Sequence, residues 1–108
     1  MGKHLLLEVY EVNSGLLNDI ESLLGVMKLG IERAQMTILN VFAHQFVPQG
    51  VTIVIALSES HVSCHTWPEE QCIAIDVYTC GAGNPELVAL ELLKHLNSEN
   101  YNIRHLDR

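Results

Sequence analysis

The spacing of apolar residues predicts strands in five parts of the chain. Segments rich in apolar and β-branched residues, some alternating with polar residues, are typical of strands buried on at least one face. They occupy residues 3–12, 36–46, 51–57, 71–79 and 101–106. Pro48-Gln49-Gly50 forms a turn between the second and third of these segments. The short links from the second strand to the fourth favour antiparallel pairing.

Two other segments have the spacing of amphipathic helices. The first follows Asn13-Ser14-Gly15, has apolar residues at helical intervals from Leu16, and is expected to end between Leu29 and Ala34. The second begins at Asn84-Pro85-Glu86, where a cap, a proline and a first-turn carboxylate follow one another. It is expected to continue to about Asn97.

The predicted order is therefore β-α-β-β-β-α-β over one domain, residues 1–108. Two helices on one face of a mainly antiparallel sheet give an α+β fold, a two-layer α/β sandwich. The other sheet face is partly apolar, which predicts contact with a second copy of the chain.

Composition and charge limit the class of function without naming it. The chain has 48% hydrophobic residues, enough for a core, and 13 acidic residues against 6 basic ones, a net charge of −7. This balance argues against binding to nucleic acid or to an anionic membrane. No apolar run is long enough to cross a bilayer. An odd number of cysteines without a signal peptide predicts reduced thiols and a cytoplasmic protein.

Reactive side chains are concentrated in one stretch, residues 58–81, which could hold a metal site. His61, Cys64 and His65 are residue types that bind zinc. In an extended backbone, however, the two histidines would lie roughly 13 Å apart, too far to share one ion. Cys64 and Cys72 are otherwise expected to be small buried residues, and Trp67 a packing residue.

Two non-metal interpretations of the same stretch are also open. It could form a hydrolase site with Ser60 or Cys80 as nucleophile and His65 as base, although no G-x-S-x-G motif is present. It could equally be a polar turn between two strands. Composition alone favours the polar turn.

A set of motifs spread over most of the chain changes that ranking. The most specific is E-S-H-x-x-x-H-T-W-P-E at residues 59–69. It is accompanied by Gly2-Lys3-His4-Leu5, Glu8, Tyr10-Glu11, Phe46-x-Pro48-x-Gly50-Val51, Asp76 and Thr79-Cys80-Gly81. In this order the motifs resemble the S-adenosylmethionine decarboxylase proenzymes of the small bacterial and archaeal type.

The resemblance implies that the chain processes itself. The Ser60 hydroxyl would attack the Glu59 carbonyl, and β-elimination from the resulting ester would free the upstream chain. The remaining dehydroalanine would hydrolyse to a pyruvoyl group, the covalent cofactor derived from Ser60. The products are a β chain, 1–59, and an α chain, 60–108. His65 would accept the proton lost in the elimination, and Thr52, where the family usually has serine, would supply a processing hydroxyl.

The resemblance also implies the reaction and the partners. The pyruvoyl carbonyl would form a Schiff base with S-adenosylmethionine and withdraw electrons as CO₂ leaves, on the route to spermidine and other polyamines. Cys80 is the implied proton donor, Phe46 would stack on the adenine, and Glu69 would bind the ribose hydroxyls. A homodimer with sites shared between subunits is expected, without a metal requirement.

Two alternatives stay open at this point. The same pyruvoyl machinery could act on arginine or ornithine, since only the pocket would have to differ. The chain could instead be an unprocessed, non-catalytic homologue that binds a ligand or regulates a partner, an alternative motivated by Thr52.

Overall fold

The computed structural model describes residues 2–108 and contains one six-stranded sheet with helices on one face. The strand order is β2-β3-β4-β5-β1-β6, and every neighbouring pair is antiparallel. The strands are β1 (Lys3–Val9), β2 (Ile38–Gln45), β3 (Val51–Leu57), β4 (Ser60–Trp67), β5 (Cys72–Thr79) and β6 (Tyr101–Asp107). The helices are α1 (Ser14–Leu17), α2 (Ile20–Arg33) and α3 (Pro85–Leu96). The predicted fold class is confirmed.

One face of the sheet forms the hydrophobic core with α2 and α3. Every second residue of the central strands is buried there, including Leu5, Leu7, Ile53, Ile55, Val62, Ile73, Ile75 and Val77. Because side chains alternate across a strand, the intervening residues lie on the opposite face. This surface, called the outer face below, carries mostly half-buried or exposed side chains.

Strand β4 is absent from the predicted order, and that prediction is wrong. Residues 60–67 form a central strand between β3 and β5. Val62 and Cys64 point into the core, whereas His61 and His65 occupy outward positions. The buried Thr66 hydroxyl accepts a hydrogen bond from the Val51 N–H, which satisfies its polar group. Because the inward residues of β4 are only weakly hydrophobic, the alternation of apolar and polar residues that marks a strand is not evident in its sequence.

The predicted first helix is also divided. α1 ends at Leu17 and α2 begins at Ile20. The Asp19 side chain accepts a hydrogen bond from the Ser22 N–H and so caps the second helix. Within residues 2–108, no helix is long and apolar enough to cross a membrane.

The two long helices approach each other closely at Gly30. A Cβ atom at this position would lie 2.8 Å from the Cα of Val88 in α3. A Cβ on Gly25 of the same helix would meet no atom within 4 Å. The absence of a side chain at Gly30 therefore sets the distance at which α2 and α3 pack over the sheet.

Candidate active site

The predicted cleavage bond, between Glu59 and Ser60, lies at the turn that joins β3 to β4. Leu57 and Ser60 pair across the two strands, so that the turn between them is short. The backbone N–H of Cys80, which follows β5, donates to Ser60 Oγ at 3.0 Å and to the Glu59 carbonyl oxygen at 3.3 Å. One amide therefore contacts both the predicted nucleophile and the carbonyl group that it would attack.

The side chain of Cys80 belongs to the same cluster. Its thiol is exposed and donates a hydrogen bond to the phenolic oxygen of Tyr78 at 3.3 Å. The next residue, Gly81, lies against the Glu59 carboxylate, which leaves no room for a Cβ atom at this position. The structure thus brings Glu59, Ser60 and Cys80 together, in what is called the turn cluster below. No motif in the sequence indicated a role for Tyr78.

The other predicted processing residues lie toward the opposite end of β3 and β4. Thr52 and His65 pair across these strands on the outer face, and Thr52 Oγ1 is hydrogen-bonded to His65 Nδ1 at 2.9 Å. His65 is exposed, so its other ring nitrogen can face a reaction partner. This arrangement holds the imidazole ring in one orientation at the surface.

An open pocket of about 440 Å³ adjoins the Thr52–His65 pair. Its lining also includes Phe46, Trp67 and Glu69. Phe46 and Trp67 are 47% and 40% exposed, so part of each ring is open to the pocket. Two aromatic surfaces and a carboxylate are suited to a ligand with a flat apolar ring and hydroxyl groups.

A further histidine, which no sequence motif indicated, lies beside this pocket. The ring of His44, on β2, meets the ring of Phe46 edge to face at a centroid distance of 4.6 Å. His44 also pairs with Thr52 across β2 and β3. Its position next to Thr52 depends on the strand register, which the sequence pattern does not define.

The turn cluster and the pocket are separate within one chain. Ser60 and His65 are five residues apart in an extended strand, which places them roughly 16 Å apart along β4. They also alternate to opposite sides of the strand. His65 therefore does not reach Ser60 within its own chain, although the predicted proton transfer requires them to meet.

A third polar cluster is centred on Asp76, on the outer face. The Asp76 carboxylate accepts hydrogen bonds from Ser63, from His4 Nε2 at 2.7 Å and from His61 Nε2 at 2.9 Å. Burial alone would raise the pKa of Asp76, but these hydrogen bonds outweigh it and hold the pKa below its ordinary value. The ligand atoms of His4, His61 and Asp76 lie within 4.8 Å of one another, a donor set that transition metals accept.

The residues considered as zinc ligands from the sequence do not converge. Cys64 is fully buried on the core side of β4, whereas His61 and His65 lie on the outer face. Burial raises the pKa of the Cys64 thiol to about 12. Because metals bind the thiolate form, Cys64 is a core residue and these three side chains form no metal site. Cys72, by contrast, is only partly buried.

Comparison with known proteins assigns the family. The profile of the S-adenosylmethionine decarboxylase family matches residues 3–108. The S-adenosylmethionine decarboxylase proenzyme of Prochlorococcus marinus (strain MIT 9313) is 41% identical, over 100% of this chain and 87% of its own length. The proenzyme of Methanococcus maripaludis is 38% identical, over 100% of this chain and 89% of its own.

A solved structure agrees with the sequence comparisons. The crystal structure of the adenosylmethionine decarboxylase from Aquifex aeolicus matches with a TM-score of 0.90 and 30% sequence identity. The match covers 100% of this chain and 90% of that one. The chain therefore belongs to the S-adenosylmethionine decarboxylase family, the pyruvoyl-dependent lyases made as proenzymes that its motifs predicted.

Proposed function

We propose that the chain decarboxylates S-adenosylmethionine after cleaving itself between Glu59 and Ser60. The observation that carries this proposal is the contact of the Cys80 N–H with both Ser60 Oγ and the Glu59 carbonyl oxygen. A backbone donor at the carbonyl oxygen stabilises the negative charge that develops there when the hydroxyl attacks. The products would be residues 1–59 and residues 60–108, the second beginning with a pyruvoyl group derived from Ser60.

Processing then requires three steps at this turn. Ser60 Oγ bonds to the Glu59 carbonyl carbon and the peptide C–N bond breaks, which gives an ester and a free amine. Removal of the Ser60 Cα proton then breaks the Cβ–O bond and releases Glu59 as a carboxylate. The dehydroalanine that remains takes up water and releases ammonia. We assign the proton removal to His65, whose ring is held by Thr52.

A second copy of the chain can bring His65 to Ser60. In such a dimer the outer faces of the two sheets would pack against each other. The two-fold axis would lie between the sheets, perpendicular to the strands, and would pass through the level of Ser63. Each His65 then lies over the opposite end of the partner's β4, where the partner's cleavage turn is. Phe42, 58% exposed, and Val54 supply apolar surface on this face. We therefore propose a homodimer with two shared sites.

The pocket residues suit the proposed substrate. When formed, the pyruvoyl group supplies a carbonyl that draws electrons from the bond broken as CO₂ leaves. Phe46 would stack on the adenine and Glu69 would accept hydrogen bonds from the ribose hydroxyls. Cys80, next to Ser60, would donate a proton to the carbon that loses CO₂. The exposed rings of Phe46 and Trp67 favour a nucleoside over arginine or ornithine, which have no flat aromatic ring for them to stack on.

Charge and thiol content support the same assignment. The net charge of −7 suits a cationic sulfonium substrate. The three cysteines are free thiols, as expected of a protein that works in the reducing cytoplasm, where we place it.

The mass of the denatured protein tests the proposal most directly. The wild-type chain should yield two fragments that separate after Glu59, the second one ammonia lighter than hydrolysis predicts. Ser60→Ala should yield the uncleaved chain. The processed protein should release CO₂ from S-adenosylmethionine but not from arginine or ornithine. Cleavage of Ser60→Ala at the wild-type rate would contradict the proposal. So would release of CO₂ from arginine or ornithine but not from S-adenosylmethionine.

A further inference from the structure

The Cys80 thiol is exposed, but the group that it contacts is firmly held. The Cys80 thiol donates to the Tyr78 phenolic oxygen at 3.3 Å. The Tyr78 ring meets the His4 ring edge to face at a centroid distance of 5.3 Å, and the Arg108 guanidinium carbon lies 4.9 Å from the ring centre. The backbone of Gly2 also approaches the phenol, since a Cβ at Gly2 would lie 2.7 Å from the hydroxyl oxygen.

These contacts leave the phenol with little freedom of movement. A cation over an aromatic face and an edge-to-face ring contact each favour one ring orientation. The Cys80 side chain, which follows the end of β5, is exposed and bonds to the hydroxyl of this ring. Tyr78 is therefore the fixed member of the pair, and Cys80 is the member that is positioned.

We infer that Tyr78 is a positioning residue for Cys80 in the decarboxylation, an inference that rests on the proton-donor role proposed for Cys80. Before the transfer, the thiol donates to the phenolic oxygen, which holds the sulfur at one place. The proton then leaves Sγ for the substrate carbon. The phenol keeps its own proton and turns its O–H toward the sulfur. A hydrogen bond to the thiolate is stronger than one to the neutral thiol, so Tyr78 stabilises the charge left on Cys80.

The protonation state of the phenol agrees with this role. When the phenol donates to Cys80, that hydrogen bond favours the protonated phenol and, together with desolvation, raises the pKa of Tyr78. The charge of Arg108 acts in the opposite direction and does not outweigh them. The phenol therefore carries its proton at neutral pH and is able to donate it in a hydrogen bond.

Tyr78→Phe tests the inference because it removes the hydroxyl and keeps the ring that packs on His4 and Arg108. We expect self-cleavage at the wild-type rate, which also shows that the variant folds. We expect kcat for S-adenosylmethionine to fall roughly tenfold with KM unchanged, from the loss of a hydrogen bond to a charged group. Tyr101→Phe, on the edge strand β6, is the control and should keep wild-type kcat.

A second measurement does not depend on the cofactor. Iodoacetamide alkylates the thiolate form of cysteine, so the alkylation rate of Cys80 measures how much thiolate is present. The rate is measured in the uncleaved Ser60→Ala chain at one mildly alkaline pH, by peptide mass spectrometry. Adding Tyr78→Phe should slow this alkylation roughly tenfold, since the thiolate loses its donor. Unchanged alkylation overturns the inference, whatever the turnover. The inference is also overturned if Tyr78→Phe slows alkylation but keeps wild-type kcat, provided that Cys80→Ala is inactive. If Cys80→Ala is fully active, the proton-donor role in the proposed function fails instead.

Discussion

The hydroxyl of Thr52 is hydrogen-bonded to Nδ1 of His65 at 2.9 Å, across two neighbouring strands of the outer face. The bond fixes which ring nitrogen of His65 is directed away from the sheet. We therefore expect the residue at position 52 to affect processing through the orientation of the histidine, although it lies far from the Ser60 of its own chain.

Removal of this hydroxyl should slow self-cleavage. Thr52→Val keeps the shape of the side chain but leaves His65 without its partner, and we expect the cleavage rate to fall roughly tenfold, as for the loss of one hydrogen bond to a group that becomes charged. Thr52→Ser keeps the hydroxyl and loses the methyl group that stiffens the side chain. It should cleave at least as fast as the wild type. Cleavage half-times from denaturing gels measure both variants, and wild-type kinetics for Thr52→Val would remove Thr52 from processing.

Mixing two inactive variants tests whether the site is shared between chains. Ser60→Ala keeps His65, and His65→Ala keeps Ser60. If His65 acts on the partner, a mixed dimer contains one complete site, and cleavage of the His65→Ala chain should reappear after the two are co-expressed. Each variant expressed alone provides the control. Failure to cleave in a mixture shown to contain mixed dimers would exclude action across the dimer.

Glu69 should determine how tightly the nucleoside binds. Glu69→Gln would weaken the proposed charge-assisted hydrogen bond to the ribose hydroxyls, so we expect KM for S-adenosylmethionine to rise roughly tenfold. Self-cleavage should be unchanged, because it needs no nucleoside. Glu70→Gln is a matched control, since the adjacent carboxylate does not line the pocket. Equal KM values for the two variants would mean that Glu69 does not contact the substrate.

The sequence predicts the layers of this fold well because the strongest apolar patterns decide them. The inward residues of β3 are all apolar, and α3 begins at a proline that follows an asparagine cap. β4 escapes detection because its inward Cys64 and Thr66 are weak hydrophobic signals, whereas its outward histidines resemble those of a polar turn. Only the pairing with β3 and β5 makes the strand evident.

Motifs identified the candidate site residues, but they could not give the arrangement of these residues in space. The string at residues 59–69 contains both Ser60 and His65, and proximity in sequence suggested contact. The extended backbone instead puts them at opposite ends of β4. The Asp76 cluster was missed for the opposite reason. His4 and Asp76 are 72 residues apart and meet only because β1 pairs with β5.

The contact between the two long helices should be sensitive to a single methyl group. Gly30→Ala would place a Cβ 2.8 Å from the Val88 Cα, so α2 and α3 must separate. We expect the free energy of unfolding to fall by about 1–3 kcal/mol, as for an overpacked core. Gly25→Ala, in the same helix, meets no atom and should raise it by about 1 kcal/mol through helix propensity. Urea unfolding of both variants measures the difference, and a Gly30→Ala protein at least as stable as Gly25→Ala would contradict this packing.

Acid should lower the free energy of unfolding because it protonates Asp76 on the outer face. Its pKa is lowered in the folded state, since the hydrogen bonds from Ser63, His4 and His61 outweigh the effect of burial. A carboxylate with a lowered pKa contributes stability above its unfolded pKa, and this contribution is lost as the pH falls through the folded value. Asp76→Asn should therefore be less stable than the parent near neutral pH, and the gap should close below about pH 4. Urea unfolding of both forms as uncleaved Ser60→Ala chains, at one protein concentration, avoids separation of the two fragments. A gap that stays constant with pH would show that the charge of Asp76 does not stabilise the fold.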